Sequence, residues 1–271
     1  MKELHLQEAF SWPGGYRLAV MLSFDLQGAE GLEPLKDGKI DHEAFTQAEY
    51  GPKTGIWRIL RLLEERAVKA TFLTCGAIAE RYPEPVQAIV AKGHEIAGHG
   101  YHHEVARNLS REEEQVIIER VTDMIQSVSG KRPVGWRSCT QSPNSLALLM
   151  ANGYLWNSNS FAHDFPFVWE DNQRKLVELP RQPFGDGRVY GRRDSGTPRH
   201  ALDVWKGLFD ELYEESELRP AFCPFQFHPY VSSRPGRARV LSELIQHMNR
   251  DGVWFATGSE IAQSIFDRHL A

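Results

Sequence analysis

A chain of 271 residues with 41% hydrophobic and 11% aromatic content can bury a full core and is expected to be one domain, residues 1–271. The formal net charge of −5, with acidic and basic residues mixed and no basic stripe, argues against nucleic acid as a partner. No apolar run approaches the roughly 20 residues that cross a bilayer, and Met1 to Phe10 lacks the basic start and apolar core of a signal peptide, so no membrane partner and a cytoplasmic location are expected. Cys75, Cys139 and Cys223 are far apart and odd in number, which suggests neither a disulfide framework nor a Cys-based zinc site.

Along the chain, Arg17 to Phe24 is a continuous apolar run closed by Asp25, as expected of a strand buried on both faces. Gln27 to Gly51 is rich in Gly and charge with little periodicity and reads as a long loop. Pro52 suits a first helical turn, followed by an apolar stripe of Ile56, Ile59, Leu60, Leu62 and Leu63. Lys69 to Thr74 reads as a strand, and Glu84 to Lys92 as a helix stopped by Gly93. The short E-I-A run after His94 delivers His99 to a loop. Ser110 and Glu113 form the S-x-x-E capping box of a helix that Gly130 ends.

Pro133 to Trp136 delivers Arg137, Pro143 to Ala151 is helical, and Gly153 to Trp156 is strand-like. Further strands are expected at Leu176 to Leu179, Ala221 to Phe227 and Val253 to Phe255, with helices near Arg199 to Glu214, Gly236 to Asn249 and Ser259 to Asp267. Strands alternating with helices imply a mostly parallel sheet covered by helices. About seven such units suggest an α/β barrel rather than an open sheet, with active-site residues at the C-terminal strand ends.

Asp25, His99, Arg137 and His228 fall at those strand ends. His99 and His103 stand four apart in G-H-E-I-A-G-H-G-Y-H-H-E, and with the Asp25 carboxylate they make a common donor set for a divalent metal with open positions. The alternative is two loop histidines bonded to backbone groups. His102 has the wrong spacing and is expected at the surface. His228 has a pKa range suited to proton transfer, and Arg137 suits a carboxylate or a substrate oxygen. Tyr50, Trp136 and Asp186 are the candidates for substrate contact.

Taken in order, S-F-D at Ser23 to Asp25, K-A-T-F-L at Lys69 to Leu73, the two-histidine segment, G-W-R-S at Gly135 to Ser138, S-P-N-S-L-A-L-L, and F-H-P at Phe227 to Pro229 resemble the polysaccharide deacetylase superfamily, the NodB-homology fold. Y-G-P-K-T-G-I-W-R-I-L and the C-terminal G-V-W-F-A-T-G-S-E-I-A resemble the branch that holds peptidoglycan-deacetylase-like proteins, cyclic imide hydrolases and metal-independent allantoinases. The resemblance implies a distorted (β/α) barrel that hydrolyses an amide C–N bond, often with a divalent metal such as zinc. It assigns His99 and His103 as metal ligands, Asp25 as general base, Arg137 as its orienter and His228 as general acid.

One position departs from that pattern. Related sequences carry a second acidic residue where this chain has Gln27, so three outcomes stand: Asp25 is the third ligand, Glu30 reaches in, or no metal is used. With an expected cytoplasmic location, a long early loop and the aromatic segment Phe161 to Trp169, a small cyclic imide, ureide or acylated amine is the expected substrate. The alternatives are an N-acetylated sugar or peptidoglycan fragment, or an inactive barrel that binds a sugar or metabolite. The aromatic patches suit a homo-oligomer interface, a core or a substrate wall equally.

Overall fold

The computed structural model describes residues 1–6, 10–32, 38–191 and 196–269. Among the described residues ten strands form one sheet: β1 Lys2–His5, β2 Leu18–Leu26, β3 Thr71–Thr74, β4 Glu95–Gly98, β5 Gly135–Trp136, β6 Trp156–Asn157, β7 Phe167–Asp171, β8 Arg174–Glu178, β9 Ala221–Phe227 and β10 Val253–Phe255. In space, β9, β2, β3, β4, β5, β6 and β8 are consecutive parallel neighbours. β10 lies parallel beside the first half of β2, which leaves its second half to β3. β7 returns antiparallel on β8, and β1 adds antiparallel on β7.

Six ladder steps separate β9 from β8, and in a flat sheet that is about 28 Å at the usual strand spacing. Arg181, just past β8, nonetheless places Nη1 3.4 Å from Gln226 Oε1 on β9. The sheet therefore rolls into a distorted (β/α) barrel. Its seam, between β8 and β9, is bridged by side chains without a backbone ladder among the described residues.

Alternation along the strands sorts the core. Leu18, Val20, Leu22, Phe24 and Leu26 of β2 pack outward with helix residues such as Ile59, Leu63 and Leu244. Ala19 and Met21 point the other way and join Leu73, Ala97, Trp156, Val177 and Phe222. Trp12 and Ile261, Ala262 and Ile265 of the helix Gly258–His269 complete this inner cluster. Ser23 and Asp25 share the inward parity of Ala19 and Met21. Because the apolar filling stops there, the polar residues at the strand ends meet above it.

Most sequence-expected elements are present. The helix Arg111–Ser129 has the capping box from Ser110 and Glu113 and ends at Gly130 in the left-handed region, φ 72°. The stretch Gln27 to Gly51, expected to be a loop, contains the helix His42–Tyr50; Asp41 caps it by accepting from the Glu43 and Ala44 N–H groups. That helix buries only Ala48 and Glu49, too thin a stripe to register as periodicity; residues 33–37 of the stretch lie outside the described residues. The β7–β8 hairpin was also not foreseen. It turns through Asn172 and Gln173, φ 48° and 68°, a positive-φ pair without the glycine that usually signals such a turn. Among the described residues no helix is long and apolar enough to cross a membrane.

Candidate active site

Asp25 sits one residue before the end of β2, 1% exposed. Its Oδ1 accepts from Arg137 Nη1 at 2.7 Å and its Oδ2 from Gln226 Nε2 at 2.6 Å. Burial alone would raise its pKa, but the Arg137 guanidinium, helped by His99, His228 and Arg181, holds it well below the usual carboxylate range. Asp25 is therefore ionised.

Arg137 follows β5 and is also 1% exposed. Beyond Asp25, its guanidinium donates to Ser23 Oγ (3.0 Å), the Ser158 carbonyl (3.2 Å) and Ser158 Oγ (3.0 Å). These partners come from β2 and from the residue after β6, so one planar fork fastens strand ends on either side of it.

His99 leaves β4 with Nδ1 2.6 Å from the Arg137 carbonyl oxygen. A carbonyl only accepts, so Nδ1 carries the proton and Nε2 presents a lone pair. Burial pushes the His99 pKa down to about 3, against the pull of Asp25, so the ring is neutral. Nε2 faces Gln27 Oε1 at 3.2 Å and Asp25 Oδ2 at 3.9 Å.

His103 lies on the following turn, its ring centroid 4.8 Å from that of His99. The backbone of His103 is left-handed, φ 58°, and Gly100 supplies a second positive φ of 76°. Such strain in a non-glycine residue persists only where the surroundings hold it. Here Glu104 accepts from the Tyr101 and His102 N–H groups at 2.8 Å each, and the Gly76 and Ala77 N–H groups donate to the Gly100 and Tyr101 carbonyls. Burial lowers the His103 pKa as well. His102 is exposed, as expected.

His228 ends β9. Asp186, fully buried, accepts from the His228 backbone N–H at 2.7 Å, from its ring Nδ1 at 2.6 Å and from Ser232 Oγ at 2.7 Å. Burial pulls the His228 pKa down, but Asp186 and then Asp25 outweigh it and the value is raised. The ring's Nε2 is 3.8 Å from Asp25 Oδ2. Asp25 Oδ2 is thus flanked by two imidazole Nε2 atoms, each too far for a direct hydrogen bond and near enough for an intervening water. The arrangement assembles an ionised carboxylate, a bare nitrogen lone pair and a protonatable imidazole around one oxygen.

The other expected positions have partners of their own. Trp136 was expected at the substrate, but it alternates with Arg137 and points outward, against Tyr154 and the helix-side core. Asp186, expected there too, has both oxygens taken up by His228 and Ser232. Glu30 is turned to Arg81 (2.7 Å) and the Gly28 N–H (2.9 Å). Among the described residues neither Asp25 nor Glu30 joins the two imidazoles in a three-atom set within 4.8 Å, and Asp25 is instead held by Arg137 and Gln226. Tyr50 ends its helix with its hydroxyl accepting from Arg58 (2.6 Å) and Arg234 stacked 3.7 Å over its ring.

Sequence reasoning missed Gln226, Arg181 and Glu104. Gln226 carried a signal, a lone amide at inward parity in F-Q-F. Arg181 brings a second guanidinium to the site, its pKa drawn down to about 10 by burial and by Arg137.

A divalent ion can be tested against this donor set. His99 Nε2 and Gln27 Oε1 are two acceptors facing at 3.2 Å with no proton between them, the separation of two ligands on one ion. Fixing the Nδ1 proton on a carbonyl is how ligating histidines are usually oriented. His99 Nε2 and Gln27 Oε1 fit two positions on such an ion, and the neighbouring His103 ring, its centroid 4.8 Å from that of His99, is the imidazole at hand for a third; the set is neutral.

The chain matches the polysaccharide deacetylase family over residues 44–154. A crystal structure from Mycobacterium smegmatis, of a protein assigned to the polysaccharide deacetylases, superposes with a TM-score of 0.88 at 31% identity, covering 98% of this chain and 96% of that one. The Puue allantoinase superposes with a TM-score of 0.87 at 24% identity, covering 96% and 94%. In sequence, the peptidoglycan deacetylase of Helicobacter pylori is 23% identical, over 93% of this chain and 97% of its own length.

Proposed function

This chain belongs to the polysaccharide deacetylase family, hydrolases of non-peptide C–N bonds, and from that premise we propose that residues 1–271 act as one catalytic domain on a small cyclic imide, ureide or acylated amine. The observation that carries the small-substrate reading is burial. Asp25, Arg137 and His99 are 1%, 1% and 2% exposed, with the His228 side chain at 16%. A polymer strand needs a groove that runs past the reacting atoms, whereas groups this deep suit a ligand enclosed on most sides.

In the mechanism we infer, Asp25 Oδ2 takes the proton of the attacking water. Arg137 and Gln226 keep that carboxylate ionised and aimed. A divalent ion, zinc on this donor set, would be held by His99, His103 and Gln27, and when bound it supplies polarisation of the substrate carbonyl and a more acidic water. His228 donates from Nε2 to the departing nitrogen, and Asp186 holds the opposite ring nitrogen so that Nε2 faces the site. Arg181, beside Gln226, offers a second donor to a substrate carbonyl.

A second reading is deacetylation of an N-acetylated sugar or peptidoglycan fragment. It is favoured by the likeness to the peptidoglycan deacetylase of Helicobacter pylori and by the extent of that match. One screen separates the two: purified protein with zinc is offered cyclic imides, ureides, formamides and N-acetylated sugar oligomers. Turnover of a member of the first three classes is expected. Release of acetate from the oligomers alone would replace the small-substrate reading with the second.

A further inference from the structure

At the sheet edge farthest along from β9, Glu3 and His5 are two residues apart on β1 and so share one face. Leu4, between them, points the other way and packs on the inner core cluster. The ladder sets His5 opposite Phe167, the first residue of β7. The segment leading into β7 then brings His163 over the same face: its ring stands edge-on to Phe167 at 4.8 Å and to His5 at 5.1 Å.

The result is a cluster that neither strand holds alone. Glu3 Oε1 lies 3.1 Å from His5 Nε2 and 2.8 Å from His163 Nε2. The three donor atoms are within 4.8 Å of one another. We propose that Glu3, His5 and His163 bind a divalent metal ion of the zinc class, at a site that shares no residue with the catalytic cluster and does not depend on the function proposed above.

Two imidazoles and a carboxylate are a common zinc set with one position left for water. Ligands on a tetrahedral zinc stand about 3.3 Å apart, from bond lengths near 2.0 Å, so the observed spacings need only small side-chain movements. An entry path exists, because both imidazoles line a cavity of about 620 Å³ whose lining also includes Asp164, Glu215 and Arg219. Binding there would tie the N-terminal strand to the segment before β7, so the ion would also stabilise the folded chain.

The test uses the full, untagged chain. Zinc stoichiometry and affinity are measured by equilibrium dialysis with elemental analysis for wild type, His5→Ala, His163→Ala and, as a control on the opposite face, Leu4→Ala. His5 is exposed and His163 partly exposed, so either can be removed without opening the core. Each histidine variant is expected to bind one zinc fewer, or to bind it at least about tenfold more weakly, and to lose the zinc-dependent rise in melting temperature. Leu4→Ala is expected to keep the zinc. Histidine variants that match wild type in both stoichiometry and affinity would overturn the assignment.

Discussion

The Asp186 carboxylate holds His228 at two points, accepting from its backbone N–H at 2.7 Å and from ring Nδ1 at 2.6 Å, so a residue 42 positions away sets both the orientation and the protonation of the imidazole. Asp186→Asn keeps the shape and removes the charge. Because Asp186 is the larger of the two carboxylate influences that raise the His228 pKa, its loss is expected to lower it. The protonated acid then disappears at lower pH, so the alkaline limb of the pH–rate profile moves down, and kcat falls by about 10²–10⁴. An unchanged alkaline limb would remove His228 from the acid role.

Stability carries the same sign. A histidine with a raised folded pKa contributes stability that is full below about pH 6.5, its unfolded value, and is lost as pH rises through the folded one. Urea denaturation of wild type and Asp186→Asn is expected to differ most on the acid side of that window and to converge above it.

Arg137 and Asp25 are a buried pair, and truncating the arginine leaves a carboxylate in the barrel without its counter-charge. Arg137→Ala is expected to cost about 3–5 kcal/mol and most of the activity, read by chemical denaturation and kcat. Since Asp25 has a depressed pKa, wild type holds this contribution above about pH 4 and loses it as pH falls toward the depressed value; the variant should lack that acid-side decline.

On the proposed reading, in which His99, His103 and Gln27 would hold the ion, Gln27 sets how tightly it is bound. Gln27→Asp places a charged oxygen beside His99 Nε2, and zinc affinity measured by competition with a chelating dye is expected to tighten by about tenfold or more, since affinity follows ligand charge. Equal affinity in the two proteins would mean that the Gln27 amide nitrogen, rather than its oxygen, faces the imidazole and that no ion is shared there.

Trp136 points away from the barrel interior, so Trp136→Phe should leave KM unchanged and lower stability by about 1–3 kcal/mol. A several-fold rise in KM at unchanged stability would place the indole back at the substrate.

Period-two alternation and strand-end position made much of this site legible in the residues alone. Asp25, His99, Arg137 and His228 each follow an apolar run, and a parallel barrel brings such ends to one face. The Ser110 capping box and the Gly130 stop were equally local, since a helix terminus is satisfied by residues within a few positions of it.

What the sequence by itself determined is which face each of these residues occupies, because that depends only on backbone geometry and neighbouring side chains. Which partner each one meets was decided by tertiary structure. Gln226 reaches Asp25 across 201 positions and Asp186 reaches His228 across 42, while Glu30, close to Asp25 in sequence, is drawn to Arg81. Local pattern carries no information on such pairings: they depend on how far the sheet curls and which loops its closure brings together, and the hydrogen bonds that settle each side chain exist only once the barrel has formed.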